Sequence, residues 1–191
     1  MAMNALTPVP VPVMTGLTWQ DLLDLPGEIR HASLVDGDLY VNAPAQVHQH
    51  VVTRLLTAIM NWTDAGEGRG EVTIEPPVQI THDRGYMPDI AWWGHAKCAP
   101  PGAPQAFEGP PDLVVEVLSP STRRMDTIRK RNDYPTIGVG EMWFVDPDDL
   151  SALVVRSFRD PETVIELSAG DALSSPRMEG FAITLGELTA R

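Results

Sequence analysis

The 191-residue chain has a single cysteine, Cys98, so no internal disulfide can form, and one thiol with no partner motif makes no zinc site. Basic residues are scarce: 14 Lys and Arg stand against 26 Asp and Glu, a formal net charge of -12. That balance excludes indiscriminate nucleic-acid binding through a whole-surface positive field, but leaves room for a local basic patch. No apolar run is long enough to cross a membrane. No internal repeat is visible. The opening MAMNALTPVPVPVMTG lacks a positive n-region, and its alternating prolines forbid a helical apolar core, so it does not read as a signal peptide. Residues 1–16 are expected to form a flexible Pro-rich tail and 17–191 a single domain, long enough to bury a core. Together these features suit an intracellular, cytoplasmic protein.

What is present is an apolar, β-branched run with one acid in its middle, Pro111-Asp112-Leu113-Val114-Val115-Glu116-Val117-Leu118-Ser119-Pro120. Strand side chains alternate, so Val114, Glu116 and Leu118 share one face, and Leu113, Val115 and Val117 the other. Both faces are apolar, which predicts a strand buried on both sides. An ionised carboxylate there costs several kcal/mol or more unless a cation, a proton or a metal meets it. Asp89 repeats the anomaly: it follows Pro88 and leads the apolar run Ile90-Ala91-Trp92-Trp93.

Around these acids the chain reads as alternating elements. Leu17–Leu25 predicts a short amphipathic helix with Thr18 as N-cap and Asp21 three residues on. Ser33–Asn42 predicts a hairpin turning at Asp36-Gly37. A helix is expected from about Val47 to Thr63, its apolar face made by Val51, Val52, Leu55, Leu56, Ile59 and Met60. His48 and His50 stand at its start, where a histidine is more often a packing residue than a ligand. Glu71–Ile80 reads as one strand, bent or at an edge because of Pro76-Pro77. Tyr86–Trp93 reads as the next, and residues 94–111 as a long loop. Ser121 and Thr122 are N-cap candidates for a helix from about Thr122 to Tyr134, on which Asp126, Lys130 and Tyr134 lie along one side. Glu141–Val145 predicts a buried strand, Ala152–Phe158 with Thr163–Leu167 a hairpin, and Leu185–Thr189 a short helix. The order suits an α/β sheet with helices packed on it.

Two acids near the ends of adjacent strands make a hard-oxygen site, suited to Mg²⁺ or Mn²⁺ rather than zinc. A nearby lysine can orient or deprotonate a water, or meet developing negative charge. These are the parts for metal-assisted phosphodiester hydrolysis. Buried Asp, Glu and Lys can also form a structural ion-pair network. The basic window Arg123, Arg124, Arg129, Lys130 and Arg131 follows the Glu116 strand directly. Such a window is a phosphate grip or simply a solvated helix face.

Pro88-Asp89, the run Pro111–Ser121 with Glu116, Asp126 with Lys130, Tyr134, Gly138-Val139 and Glu141–Pro147 resemble the Uma2 family of the PD-(D/E)XK restriction-endonuclease-like superfamily. The hairpin Leu34–Leu39 and the helix start at His48 are similar too. The resemblance implies a restriction-endonuclease-like core, a mixed sheet flanked by helices with added β-hairpins. It implies a Mg²⁺-dependent endonuclease acting on DNA, with Mn²⁺ as a substitute. Asp89 and Glu116 would hold the metal with the Val117 carbonyl. Leu118 occupies the usual lysine position, and Lys130 on the following helix would replace that lysine. His48, Arg123 and Arg124 would contact phosphates. A homodimer is implied by two-strand cleavage. The chain departs from the family pattern at Ser33, where many relatives carry Glu, and at Pro135. An inactive restriction-endonuclease-like binding or scaffold protein is the alternative, supported by the acidic surface and Ser33.

Overall fold

Two places where the chain leaves one sheet and enters another shape this fold. The computed structural model describes residues 11–26, 30–100, 102–103, 105–119, 123, 126–158 and 161–190. The proposed caps Ser121 and Thr122, and Arg124, lie outside them, as do residues 1–10 of the expected tail.

The first helix, α1 (Trp19–Leu23), begins with a capping box in which Thr18 and Asp21 satisfy each other's backbone N–H groups. It is followed by the hairpin of β1 (Ala32–Val35) and β2 (Asp38–Val41). Asp36 and Gly37 both have positive φ, 53° and 82°, as a tight two-residue turn needs. Val13 donates to, and Met14 accepts from, the Leu39 backbone, so this part of the N-terminal stretch runs along β2.

Helix α2 (Gln46–Asp64) buries Val51, Val52, Leu55 and Ile59. Met60 is 45% exposed, contrary to its expected place on that face. At 3.6 residues per turn it stands about half a turn round from Val51.

The expected single strand over residues 71–80 is two. β3 (Glu71–Ile74) pairs with β6 (Ile90–Trp93), whereas β4 (Val78–Thr81) pairs with β5 (Arg84–Tyr86). The break falls at Glu75, whose φ is 47°, and at Pro76-Pro77, which cannot donate to a ladder. The expected strand over residues 86–93 divides at residues 87–89 in the same way. A small sheet, β2-β1-β5-β4, therefore sits beside a large one, into which β7 (Leu113–Val117), β8 (Glu141–Asp146), β9 (Ser151–Arg156) and β10 (Thr163–Leu167) also enter. The large sheet has the order β10-β9-β8-β7-β6-β3, with β7 and β8 parallel and the other pairs antiparallel. A two-stranded ladder, β11 (Ala172–Leu173) with β12 (Ile183–Thr184), precedes α3 (Leu185–Thr189).

The alternation of β7 sorts the core as expected. Leu113, Val115 and Val117 pack with α2 and with Leu185 and Leu188 of α3. Val114 and Leu118 face the other way, toward Tyr86, Tyr134 and Phe144. That second face is covered by the small sheet and by a helical segment that is not one α-helix. It runs as a π-helical turn (Asp126–Lys130), an α turn (Arg131–Asp133) and a 3₁₀ turn (Tyr134–Ile137). Pro135 supplies no N–H to an α-helical ladder, and Gly138 ends the segment with φ 94°.

The loop before β3 approaches β6 closely at Gly70. Its φ is 78°, and an added Cβ would stand 2.0 Å from the Trp93 carbonyl oxygen. Gly70→Ala is expected to cost about 2–4 kcal/mol through left-handed strain and overpacking together. A thermal melt with an unchanged midpoint would refute this.

Candidate active site

The register of β6 on β7 pairs Ile90 with Val115. Carried one residue further, it sets Asp89 beside Glu116 at the crossing between the sheets. The Val117 N–H donates to Asp89 Oδ2 at 2.7 Å, and His48 Nε2 lies 3.3 Å from the same oxygen. Asp89 Oδ1 takes part in no hydrogen bond among the described residues, although Asp89 lines the cleft described below.

His48 is buried at the start of α2, with its Nδ1 unpartnered. Burial is the largest influence and disfavours the imidazolium. The Asp89 hydrogen bond and charge, the Val117 carbonyl and the Glu116 charge together outweigh it and raise the His48 pKa above its ordinary value.

Glu116 is only 3% exposed, and among the described residues it meets Lys130 and Tyr134. Lys130 Nζ donates to Oε2 at 2.8 Å, and the Tyr134 hydroxyl donates to Oε1 at 2.6 Å. The expected placement of Lys130 and Tyr134 on one side of their segment therefore holds. Lys130 also lies over the Tyr86 ring, 5.4 Å from its centroid. The Tyr86 hydroxyl donates to Asp133; burial first, and then that carboxylate, push its pKa above the ordinary phenol value. Asp133 in turn pairs with Arg84 at 3.1 Å, and Arg84 pairs with Asp36 in the first hairpin. One polar chain thus runs from the hairpin turn to Glu116.

Ser33, His48, Asp89, Glu116, Val117 and Lys130 line one open cleft between the sheets. Arg123 is not among the lining residues. Its guanidinium is held 2.5 Å from Asp146, at the end of β8, and 3.4 Å from Asp148. Arg129 is exposed, and Arg131 pairs with Glu162 at 2.6 Å, so the basic window is divided among different neighbours.

The donors in the cleft suit a hard divalent cation. Asp89 and Glu116 would contribute carboxylates and Val117 a carbonyl, all of them oxygen donors. No cluster of three or more His, Cys, Asp or Glu side chains able to hold a metal occurs among the described residues. With Ser33 in the hairpin, further ligands would have to be water.

Sequence reasoning assigned no role to Tyr86, Asp133 or Arg84. Only Tyr134 carried a signal, its spacing from Lys130. Arg84 and Tyr86 meet Asp133 across 49 and 47 residues of sequence, separations no local pattern reports.

Among solved structures, the chain is similar to a crystal structure of a "putative nuclease belonging to DUF820" from Anabaena variabilis ATCC 29413. The TM-score is 0.74 at 17% identity, over 91% of this chain and 98% of the other. That likeness shows a shared fold. No curated protein matches the chain. Among the described residues no helix is long and apolar enough to cross a membrane. The profile of the Uma2 family, described as "Putative restriction endonuclease", matches residues 19–186, nearly the whole length, and the chain belongs to that family.

Proposed function

We propose that the protein is a Mg²⁺-dependent endonuclease that hydrolyses phosphodiester bonds in DNA. The observation that carries this reading is the meeting of Asp89, Glu116 and Lys130 on one cleft. Membership of a family described in terms of restriction endonucleases gives the reading its reaction class.

Within it, Asp89, Glu116 and the Val117 carbonyl hold the cation, with Mn²⁺ able to substitute. When bound, such an ion supplies charge neutralisation at the phosphate and Lewis-acid polarisation of a phosphoryl oxygen. His48 fixes Asp89 Oδ2 and so orients the carboxylate, a role its burial suits better than direct phosphate contact. Tyr134 anchors one oxygen of Glu116. Lys130, hydrogen-bonded to the other, positions the attacking water and meets negative charge developing on the phosphoryl oxygens. Arg123 contacts a phosphate outside the cleft, and Arg124 of the same basic window contacts another. The working form is a cytoplasmic homodimer, since two sites related by symmetry suit two-strand cleavage.

One observation favours the alternative of an inactive binding or scaffold protein: both Glu116 oxygens already accept hydrogen bonds from the protein. Incubating supercoiled plasmid with the purified protein in Mg²⁺, Mn²⁺ or EDTA separates the two. The nuclease converts plasmid to nicked and linear forms in either metal, and Asp89→Ala does not. Intact plasmid in both metals, with no heat of metal binding by titration calorimetry, would establish the inactive reading.

A further inference from the structure

Two residues outside the proposed chemistry meet each other: His31, which lines the same cleft, and Glu75. Both carry left-handed backbone, φ 54° at His31 and 47° at Glu75. Such conformations are costly for residues with side chains and persist only where the surroundings hold them. Here the two residues hold each other. Glu75 Oε1 lies 3.0 Å from His31 Nδ1, and Oε2 accepts the His31 backbone N–H at 3.2 Å. The Glu75 side chain is 11% exposed and that of His31 22%. Glu75 also donates its backbone N–H to the Asp89 carbonyl at 3.3 Å. The pair is therefore fastened to the strand crossing that carries Asp89.

The grip is directional. In an imidazolium, a carboxylate on Nδ1 takes one N–H and leaves the Nε2–H for an anion, whereas in the neutral Nδ1–H tautomer Nε2 only accepts. Gln49 Nε2 lies 3.5 Å from that nitrogen, the outer limit of a hydrogen bond, so the contact is readily exchanged for a better one. His31 lines the cleft with His48, Asp89, Glu116 and Lys130. Lys130 and Glu116 pair with each other, and His48 lies against Asp89, so His31 adds a further position for substrate charge beside Lys130.

We propose that His31, oriented by Glu75, is a phosphate-contacting residue of this cleft, donating its Nε2–H to a backbone phosphate of bound nucleic acid. The proposal rests on the nuclease reading for its ligand and adds to it a residue and a partner.

The test is fluorescence anisotropy with a fluorescein-labelled DNA duplex over a series of salt concentrations. It is run at about pH 6, with Ca²⁺ replacing Mg²⁺. His31→Ala should weaken binding roughly tenfold, as expected for one lost charge-assisted hydrogen bond. The slope of log K against log salt should become shallower by about 0.9, one released counterion. His31→Gln keeps a neutral donor, so it should recover part of the affinity and none of the slope. Glu75→Gln should weaken binding in the same direction. A pair that only fastens the strand crossing would lower the thermal midpoint and leave affinity and slope at wild-type values, and that result overturns the proposal. If the wild-type protein binds no duplex, the DNA reading and this one fall together. If it binds and the His31 variants match it, only this one falls.

Discussion

Glu116→Gln is expected to lower the thermal midpoint of the metal-free protein substantially. Glu116 and Lys130 are 4% and 6% exposed at their side chains and lie 2.8 Å apart. Exchanging the carboxylate for an amide leaves the ammonium facing a neutral group in a poorly solvated place. Breaking such a pair from one side costs about 3–5 kcal/mol, which for a domain of this size is roughly 6–20 °C. Two neighbouring acids with no cation between them would repel, and neutralising one would then cost little. The ion pair and the Tyr134 hydrogen bond reverse that expectation. Lys130→Met should be costly for the same reason. The double variant Glu116→Gln, Lys130→Met should recover much of the loss, because neither charge is left behind. Melts of the four proteins in EDTA complete the cycle. Additive losses would show that the pair contributes nothing as a pair.

Mn²⁺ is expected to raise the midpoint of the wild-type protein and to leave Asp89→Asn nearly unchanged. A ligand bound only by the folded state stabilises it by about 2.7 kcal/mol at a free concentration one hundred times its dissociation constant. For a domain of this size that is on the order of 5–10 °C. Asp89 is the more sensitive probe, because its contacts among the described residues fall on Oδ2 and the variant leaves both members of the Glu116–Lys130 pair in place. Lys130→Ala should start from a lower midpoint yet keep the Mn²⁺ shift, since it removes a competitor for Glu116 and no ligand. Its cleavage rate should nonetheless fall by about 10²–10⁴, the usual worth of a group that positions or transfers protons in the reaction. A full Mn²⁺ shift in Asp89→Asn would remove Asp89 from the metal site. Undiminished cleavage by Lys130→Ala would remove the lysine from the mechanism.

Reading the chain in order was enough for features whose cause lies within a few residues. The capping box at Thr18 and Asp21, the Asp36-Gly37 turn, the terminal helix Leu185–Thr189 and the two-faced strand around Glu116 all depend on neighbours close in sequence. The acids were legible for a related reason: a carboxylate within an apolar run conflicts with its surroundings wherever the chain folds. The resemblance to Uma2 then brought Lys130 to Glu116 across 14 residues. The two strand breaks were beyond this kind of reading. Pro76-Pro77 and Pro88 signal bends, but which sheet receives each half depends on long-range pairing, β3 with β6 and β4 with β5. The same separation hid the partners of the site. Arg84 and Tyr86 come to Asp133, and Glu75 to His31, only because the chain crosses between the sheets and closes a cleft there. Local sequence carries the conflict of a buried charge, and long-range packing supplies the group that resolves it.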